Sequence, residues 1–594
     1  MRLDGPMGER FDANLQNWLL AVPYANPGML QIYARRNQSH QEIIPWYGEF
    51  SGKYLTSVAQ AYAIQPNAEL KKAGDYVVSV LAREQDVDGY LGVWPDSEKL
   101  NGRTTNGQKT WDAWSHYHNM LGLYLWGRVS NNQIATAVLN RAAECLYDFY
   151  IIQENKLDED KGGTDVAIGH IFAILYRETK DPRYLEMVQK TFATFEGISG
   201  GDYFRAGLQN KPFYKMNRTR WESLHAIQTI AQTYYITKQE EYRRSFENIW
   251  DGIRRYDRHN TGGFSSGECA VGNPYDLGAI ETCCTIAWMA LSQDMLMLSD
   301  RSYVADEIEL TLWNALLGAQ HYSGRSFTYN TPMIGDKKSS AHEIVFQATA
   351  GSAEVNCCSV NGPRGLSMIG DFGVLVKDEQ ITVNYYGASE IIINTSNGHR
   401  VQVTQTGDYP FGDNLRLTVV TDEGYKGDFR LRIPFWSEET LLIRNGVPLV
   451  DVVPGVYFVL KNIRCGDVID LKLDFRPHFW QGNLELVGKT SLYIGPILLA
   501  YDQRFNEGSI DVPHLLRLSD LVFASIDYED IMQPKPYKLV QLTSVDGISM
   551  KLCDFASAGQ TGTLYTTWLP TEAELPILWE SSDEISWGQR LKKE

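Results

Sequence analysis

Apolar positions recur at helical spacing over roughly the first 370 residues and at alternating spacing beyond them. Residues 8–22 make one amphipathic run, ended by Pro23, and residues 53–64 make a second. From there a unit repeats: a helical run, a short polar link, then a return run opened by an aromatic or aliphatic anchor. The links fall at 63–67, 127–131, 178–182, 237–240 and 299–302. Their spacing of roughly 50 to 65 residues is that of a helical hairpin plus a long return loop. Several links carry the Asp, Asn, Ser or Pro expected where a helix starts. Five hairpins follow, and the N-terminal run with a helix near 361–370 supplies a sixth pair. This predicts a closed (α/α)6 toroid whose inner helices surround a bowl, rather than an open helical solenoid, which has closer repeats and shorter loops. The rim loops carry polar and aromatic motifs at 88–92, 110–114 and 262–265.

After about residue 374 the period changes to two. Short runs such as 380–386, 390–394, 401–404, 415–420, 429–433 and 468–473 are rich in β-branched residues. They alternate with turn signals such as Asn397-Gly398 and Asn445-Gly446. The expected organisation is multidomain, α then β. The helical domain spans 1–374, a β-sandwich spans 375–480, and a second β-rich unit spans 481–594.

Composition narrows the function. With 73 acidic against 55 basic side chains the formal net charge is −18, so a nucleic-acid or anionic-membrane partner is not expected. Aromatics reach 12%, which suits both a toroid interior and stacking on sugar rings. No run of about 18 apolar residues predicts a membrane span. The segment 1–6 has no secretory pattern, so a cytoplasmic location is expected.

Eight cysteines stand at 145, 269, 283, 284, 357, 358, 465 and 553. Reduced thiols that cluster point to metal or catalysis rather than to a disulfide framework. Cys145, Cys465 and Cys553 are isolated and read as small buried hydrophobes. The others lie within or near the stretch 267–358. Glu281-x-Cys283, joined to Cys357-Cys358, makes a four-ligand set for tetrahedral Zn²⁺. The carboxylate in that set favours a working site over a closed structural one. Glu268, a free carboxylate, lies just upstream.

At these motifs, with the intervening segment 327–332 that contains Tyr329, the sequence resembles glycoside hydrolase family 127, the zinc- and cysteine-dependent β-L-arabinofuranosidases. The resemblance implies a toroid followed by β domains. It implies that Glu281, Cys283, Cys357 and Cys358 bind zinc, that Cys357 is the nucleophile and that Glu268 is the general acid/base. It further implies that His118, His225 and Tyr329 contact the sugar, with Asp165 at the position where the family has a third histidine and His170 one turn further on. Chemistry agrees: zinc removes the proton that leaves most free thiols unreactive at neutral pH.

Two departures bear on the sugar. Asp165 replaces an imidazole, and the segment 52–55 reads Gly-Lys-Tyr-Leu where relatives carry Gly-His-Tyr-Leu. The expected activity is a retaining, exo-acting release of β-L-arabinofuranose from oligosaccharides. Its alternatives are the same chemistry on an acidic or branched pectin sugar, a binding protein with a structural zinc, and a metal-free toroid hydrolase or lyase. The β units are expected to brace the toroid or to join a second copy as a homodimer. Cys269 and Cys284 have no role assigned by sequence.

Overall fold

The computed structural model describes residues 1–594 apart from 39–43, 159–162, 198–201, 217, 265–266, 338–354, 511–514, 517–523, 527–533, 544–546, 548, 572–586 and 588–594. Ser265 of the expected rim motif and parts of the expected unit 481–594 lie outside the described residues.

Each expected link is a corner between two helices. The pairs are Glu49–Ile64 with Ala68–Glu84, Asp112–Ser130 with Gln133–Tyr147, and Ile168–Thr179 with Pro182–Gly197. Trp221–Thr237 with Glu240–Tyr256, and Thr282–Ser299 with Ser302–Leu310, complete the series. Asn131, Lys180, Lys238 and Asp300 turn the chain with left-handed backbone (φ 55°, 62°, 59° and 56°). Asn67 and Asn132 start two return helices by accepting the Leu70 and Ala135 N–H groups, each at 2.9 Å.

The two helices of a pair differ in what they bury. Ala68–Glu84 buries one stripe, including Leu70, Ala73, Val77 and Leu81, and leaves the opposite face polar. Thr282–Ser299 is buried around its whole circumference, as an interior helix must be. The helices Glu49–Ile64, Asp112–Ser130, Ile168–Thr179, Trp221–Thr237 and Thr282–Ser299 each lie against the next. Cys357–Ser367 lies against both Thr282–Ser299 and Glu49–Ile64. None of the described helices is long and apolar enough to cross a membrane.

Helix starts differ from the sequence reading. Pro6 sits in the first turn of Gly5–Asn14, so this helix begins before residue 8; at Asn14 it widens into a π-helical turn over Leu15–Leu19. The expected 53–64 helix begins one turn earlier, at Glu49. The expected 361–370 helix begins at Cys357.

Two sheets share one core beyond residue 373. The first runs Arg2–Leu3, Ser389–Asn394, Arg400–Gly407, Asn414–Thr421, Val468–Lys472, Leu441–Arg444, Val447–Pro448; the second runs Tyr457–Leu460, Phe429–Arg432, Gln380–Val383, Val374–Lys377. The N-terminal residues Arg2–Leu3 thus belong to the middle sheet, pairing with Ser389 and Glu390. A third sheet begins at His478–Gln481, which pairs with Lys489–Ile494. The boundary expected at 480 falls within the first of these strands. Ile334–Gly335, from within the helical region, joins this third sheet through Tyr565–Thr566.

A buried ion cluster ties helix Ser302–Leu310 to the second of these sheets, at the end of Phe429–Arg432. Arg432 is fully buried and donates to both Glu309 oxygens (2.6 and 3.0 Å), to Asp306 and to the Asn384 carbonyl (3.0 Å). Replacing Arg432 with methionine leaves two buried carboxylates without their cation. We expect a loss of about 3–5 kcal/mol, read as a shift of the denaturant midpoint.

Candidate active site and metal centre

Two helix N-termini converge on one point. Cys357 and Cys358 open the helix Cys357–Ser367. The Asn356 side chain caps it, accepting from Cys358 N (3.0 Å) and Ser359 N (2.9 Å), while Asn356 N donates to Ser359 Oγ (2.9 Å). Glu281 is the N-cap residue of Thr282–Ser299, and Cys283 lies in that helix's first turn. Pairing of Ile280–Glu281 with Asn330–Thr331, and a Thr282 N to Tyr329 O bond of 3.0 Å, fix this entry. A helix N-terminus favours anionic sulfur.

The ligand atoms of Glu281, Cys283, Cys357 and Cys358 all lie within 4.8 Å of one another. Cys358 Sγ is 3.6 Å from Cys283 Sγ, 3.8 Å from Cys357 Sγ and 3.6 Å from Glu281 Oε1. Tetrahedral zinc with bonds of about 2.3 Å to sulfur separates its sulfurs by roughly 3.8 Å. The donor set and its spacing therefore fit such an ion. Burial, followed by the Cys357 charge, pushes the Glu281 carboxyl well up, and burial does the same to the Cys283 and Cys358 thiols. Hydrogen bonds with Cys283 and Cys358 hold Cys357 well below the ordinary thiol value. A divalent cation would favour the ionised form of the whole set. Cys357 is only half-buried, whereas Cys283 and Cys358 are buried.

Cys284, unassigned by sequence, donates to Glu281 Oε2 at 3.1 Å and so holds the oxygen that does not face Cys358. Cys269 lies on the bridge that pairs residue 269 with Arg220. That bridge brings Arg220 to Glu268: Arg220 Nη2 donates to Glu268 Oε2 at 2.8 Å, and Arg220 Nε lies 3.3 Å from Glu222 Oε2. Glu268 sits on left-handed backbone (φ 69°), as does Gly267 before it (φ 56°), which kinks the loop inward. The Tyr329 hydroxyl donates to Glu268 Oε1 at 2.9 Å and is also among the groups holding Cys357 low.

Lys53 completes the wall of the cluster. Its ammonium is 2.7 Å from Glu49 Oε1, 4.0 Å from Cys283 Sγ and 4.2 Å from the centre of the Trp221 ring. Trp114 Nε1 donates to the other Glu49 oxygen. Burial pushes the Glu49 carboxyl up to about 7, against the pull of Lys53. Gly52 lets this helix close on its neighbour, since a Cβ there would lie 2.2 Å from the His118 carbonyl carbon.

His118 and His225 meet with ring centres 5.7 Å apart, flanked by Trp114 and Trp221. Both are buried, and neither Nε2 has a hydrogen-bond partner among the described residues. Burial drives both imidazoles well below the ordinary histidine value, so they are neutral at pH 7. His170 joins them through Tyr117, whose hydroxyl lies 3.0 Å from His170 Nδ1 and 3.1 Å from His225 Nδ1. Asp165 borders the same cluster through the backbone: its Oδ1 accepts the Trp114 N–H at 3.1 Å, in the first turn of Asp112–Ser130. The histidine one turn on reaches the cluster through Tyr117. Sequence reasoning also missed Glu49, Tyr117, Arg220 and Glu222. The Arg-x-Glu pair three residues ahead of His225 and the Glu49/Lys53 spacing were the available signals.

Comparison with known proteins accords with this geometry. The family model described as the β-L-arabinofuranosidase GH127 catalytic domain matches residues 12–371, and the GH127 middle-domain model matches 380–475. A curated non-reducing end β-L-arabinofuranosidase of Bifidobacterium longum subsp. longum is 24% identical over 512 residues, covering 77% of this chain and 76% of that protein. A solved GH127 β-arabinofuranosidase superposes with a TM-score of 0.79 at 18% identity, covering 96% of each chain. The GH127 β-L-arabinofuranosidase of Geobacillus stearothermophilus T6 does so with 0.77 at 18% identity, covering 96% of this chain and all (100%) of that one. With both its helical and middle regions matched, the chain belongs to the GH127 β-L-arabinofuranosidase family and is a glycosidase.

Proposed function

We propose that this chain is a retaining, exo-acting β-L-arabinofuranosidase, with its site in the bowl of an (α/α)6 toroid. Glu281, Cys283, Cys357 and Cys358 would hold Zn²⁺, a metal suited to three thiolates and a carboxylate. The ion would keep the sulfurs ionised at neutral pH. Cys357 Sγ attacks the anomeric carbon, forming a C–S bond as the bond to the leaving oxygen breaks. Glu268 gives its proton to that oxygen. In the second step Glu268 takes a proton from water, the water oxygen bonds to the anomeric carbon, and sulfur departs as thiolate. Two displacements return the original configuration. The reading is carried by one observation: the ligand atoms of Glu281, Cys283, Cys357 and Cys358 lie within 4.8 Å of one another, with Tyr329, at the strand entry to that cluster, donating to Glu268.

An uncharged furanoside fits better than an acidic sugar. Lys53, the residue that prompted the acidic alternative, is already paired with Glu49 and buried, with 1% exposure for each side chain. The neutral histidines suit hydroxyl groups. Free thiols at all eight cysteines suit a reducing compartment, which supports a cytoplasmic enzyme.

The test pairs an aryl β-L-arabinofuranoside with an aryl uronide. We expect turnover of the former alone, and a loss of about 10²- to 10⁴-fold in Glu268→Gln. Turnover of the uronide instead, or an unimpaired variant, would sink the reading.

A further inference from the structure

Behind His225 a chain of hydrogen bonds runs away from the sugar side, and its donors can be assigned in order. Arg177 can only donate, and its Nη1 meets Gln232 Oε1 at 2.5 Å, so the Gln232 oxygen faces Arg177 and its NH₂ faces Asp294. Asp294 is buried on the inner helix Thr282–Ser299. Its Oδ2 accepts from Gln228 Nε2 at 2.8 Å, and its Oδ1 lies 3.4 Å from Gln232 Nε2. With its NH₂ on Asp294, Gln228 presents Oε1 to His225 Nδ1 at 2.9 Å. An oxygen there requires a proton on that nitrogen.

We propose that Gln228, oriented by Asp294, is a positioning residue that fixes His225 with its proton on Nδ1 and leaves Nε2 as a hydrogen-bond acceptor for a sugar hydroxyl. The role rests on the arabinofuranosidase reading; the tautomer itself does not. The same order of donors continues past His225. Tyr117 receives part of the Nδ1 proton at 3.1 Å and gives its own to His170 Nδ1 at 3.0 Å, so His170 carries its proton on Nε2. Two neighbouring imidazoles are thereby held in opposite tautomers. His225 Nε2, buried and without a partner among the described residues, is where a hydroxyl donor would bind. A ring with the opposite tautomer would turn an N–H toward the sugar and select an acceptor instead.

Burial pushes the Asp294 carboxyl up to about 7, so at pH about 9 it is an acceptor only. The experiment is therefore long-range ¹H–¹⁵N correlation on histidine-labelled full-length protein at that pH, with His225→Asn and His170→Asn giving the assignments. The expected result is Nδ1–H for His225 and Nε2–H for His170. Gln228→Met should give a tautomer mixture at His225 and raise KM for the aryl furanoside roughly tenfold, with kcat changed little. Asp294→Leu removes the acceptor for Gln228 Nε2 and should also lose the tautomer; this variant decides the matter should Gln228→Met not fold. Wild-type His225 protonated on Nε2, or an unaltered tautomer in both Gln228→Met and Asp294→Leu, overturns the proposal. The predicted tautomers without furanoside hydrolysis would overturn the functional reading alone.

Discussion

Cys357→Ala is expected to lower kcat on an aryl β-L-arabinofuranoside by about 10⁴-fold or more, with KM changed far less. The size follows from the absence of a substitute. Cys283 and Cys358 are buried and Cys357 is less so, and on the proposed mechanism neither of the buried sulfurs can replace it. The Asn356 cap and its bonds to Cys358 and Ser359 do not use the Cys357 side chain, so the helix start should survive. Three of the four proposed metal ligands remain as well, and the variant should still take up zinc, more weakly. Metal content and rate measured on the same sample separate the nucleophile from a ligand whose loss merely empties the site. Substantial turnover in zinc-loaded Cys357→Ala protein would remove Cys357 from the chemistry.

Losing the ion should be nearly as damaging and should also reach stability. Freshly purified protein is expected to hold about one zinc per chain, and less than about half an equivalent would contradict the four-ligand set. Cys283→Ser should lose bound zinc and at least about 10³-fold in rate, because Cys283 lies on one of the two helix starts that the proposed ion would join. An ion present at 1,000 times its dissociation constant adds about 4 kcal/mol to the folded state. Chelation should therefore lower the melting temperature of the wild type, and re-addition of zinc should restore it. In Cys283→Ser neither treatment should move the melting temperature appreciably. The ion's place explains why: it would pin Thr282–Ser299 to Cys357–Ser367, and the latter helix also packs on Glu49–Ile64.

What could be read from the chain beforehand divides along physical lines. The corners at 131, 180, 238 and 300 were legible because a polar residue ends one run and starts the next, whatever the tertiary context. The cluster of Glu281, Cys283, Cys357 and Cys358 was legible because a carboxylate and three thiols in two short motifs stand apart from core filler. Asp165 and His170 could not be separated by counting. They lie five residues apart, Asp165 opening a short 3₁₀ turn at Asp165–Ala167 and His170 in the helix that follows, and only packing decides which one meets Tyr117. Glu49 was hidden for a different reason. Its helix starts a turn ahead of the apolar pattern, because an ion pair and the Trp114 N–H satisfy a carboxylate that would otherwise oppose burial. The strand at Trp480 shows the same limit in the β region: alternation marks a strand but does not name the sheet it joins.

The pairing of Arg2–Leu3 with the middle sheet has a consequence for synthesis on the ribosome. Residues 2–3 dock on residues 389–390, and Arg10 in the first helix donates to Gln320 at 2.7 Å, 310 positions downstream. At about 5–20 residues per second, the first helix waits roughly 15 to 60 s for that partner to be made. Over that interval Met7, Phe11 and Leu15, all buried in the finished enzyme, have no native surface from the far segment to cover them. The start of the chain is made first and docked late, so the nascent polypeptide must shelter it until the helical domain is nearly complete.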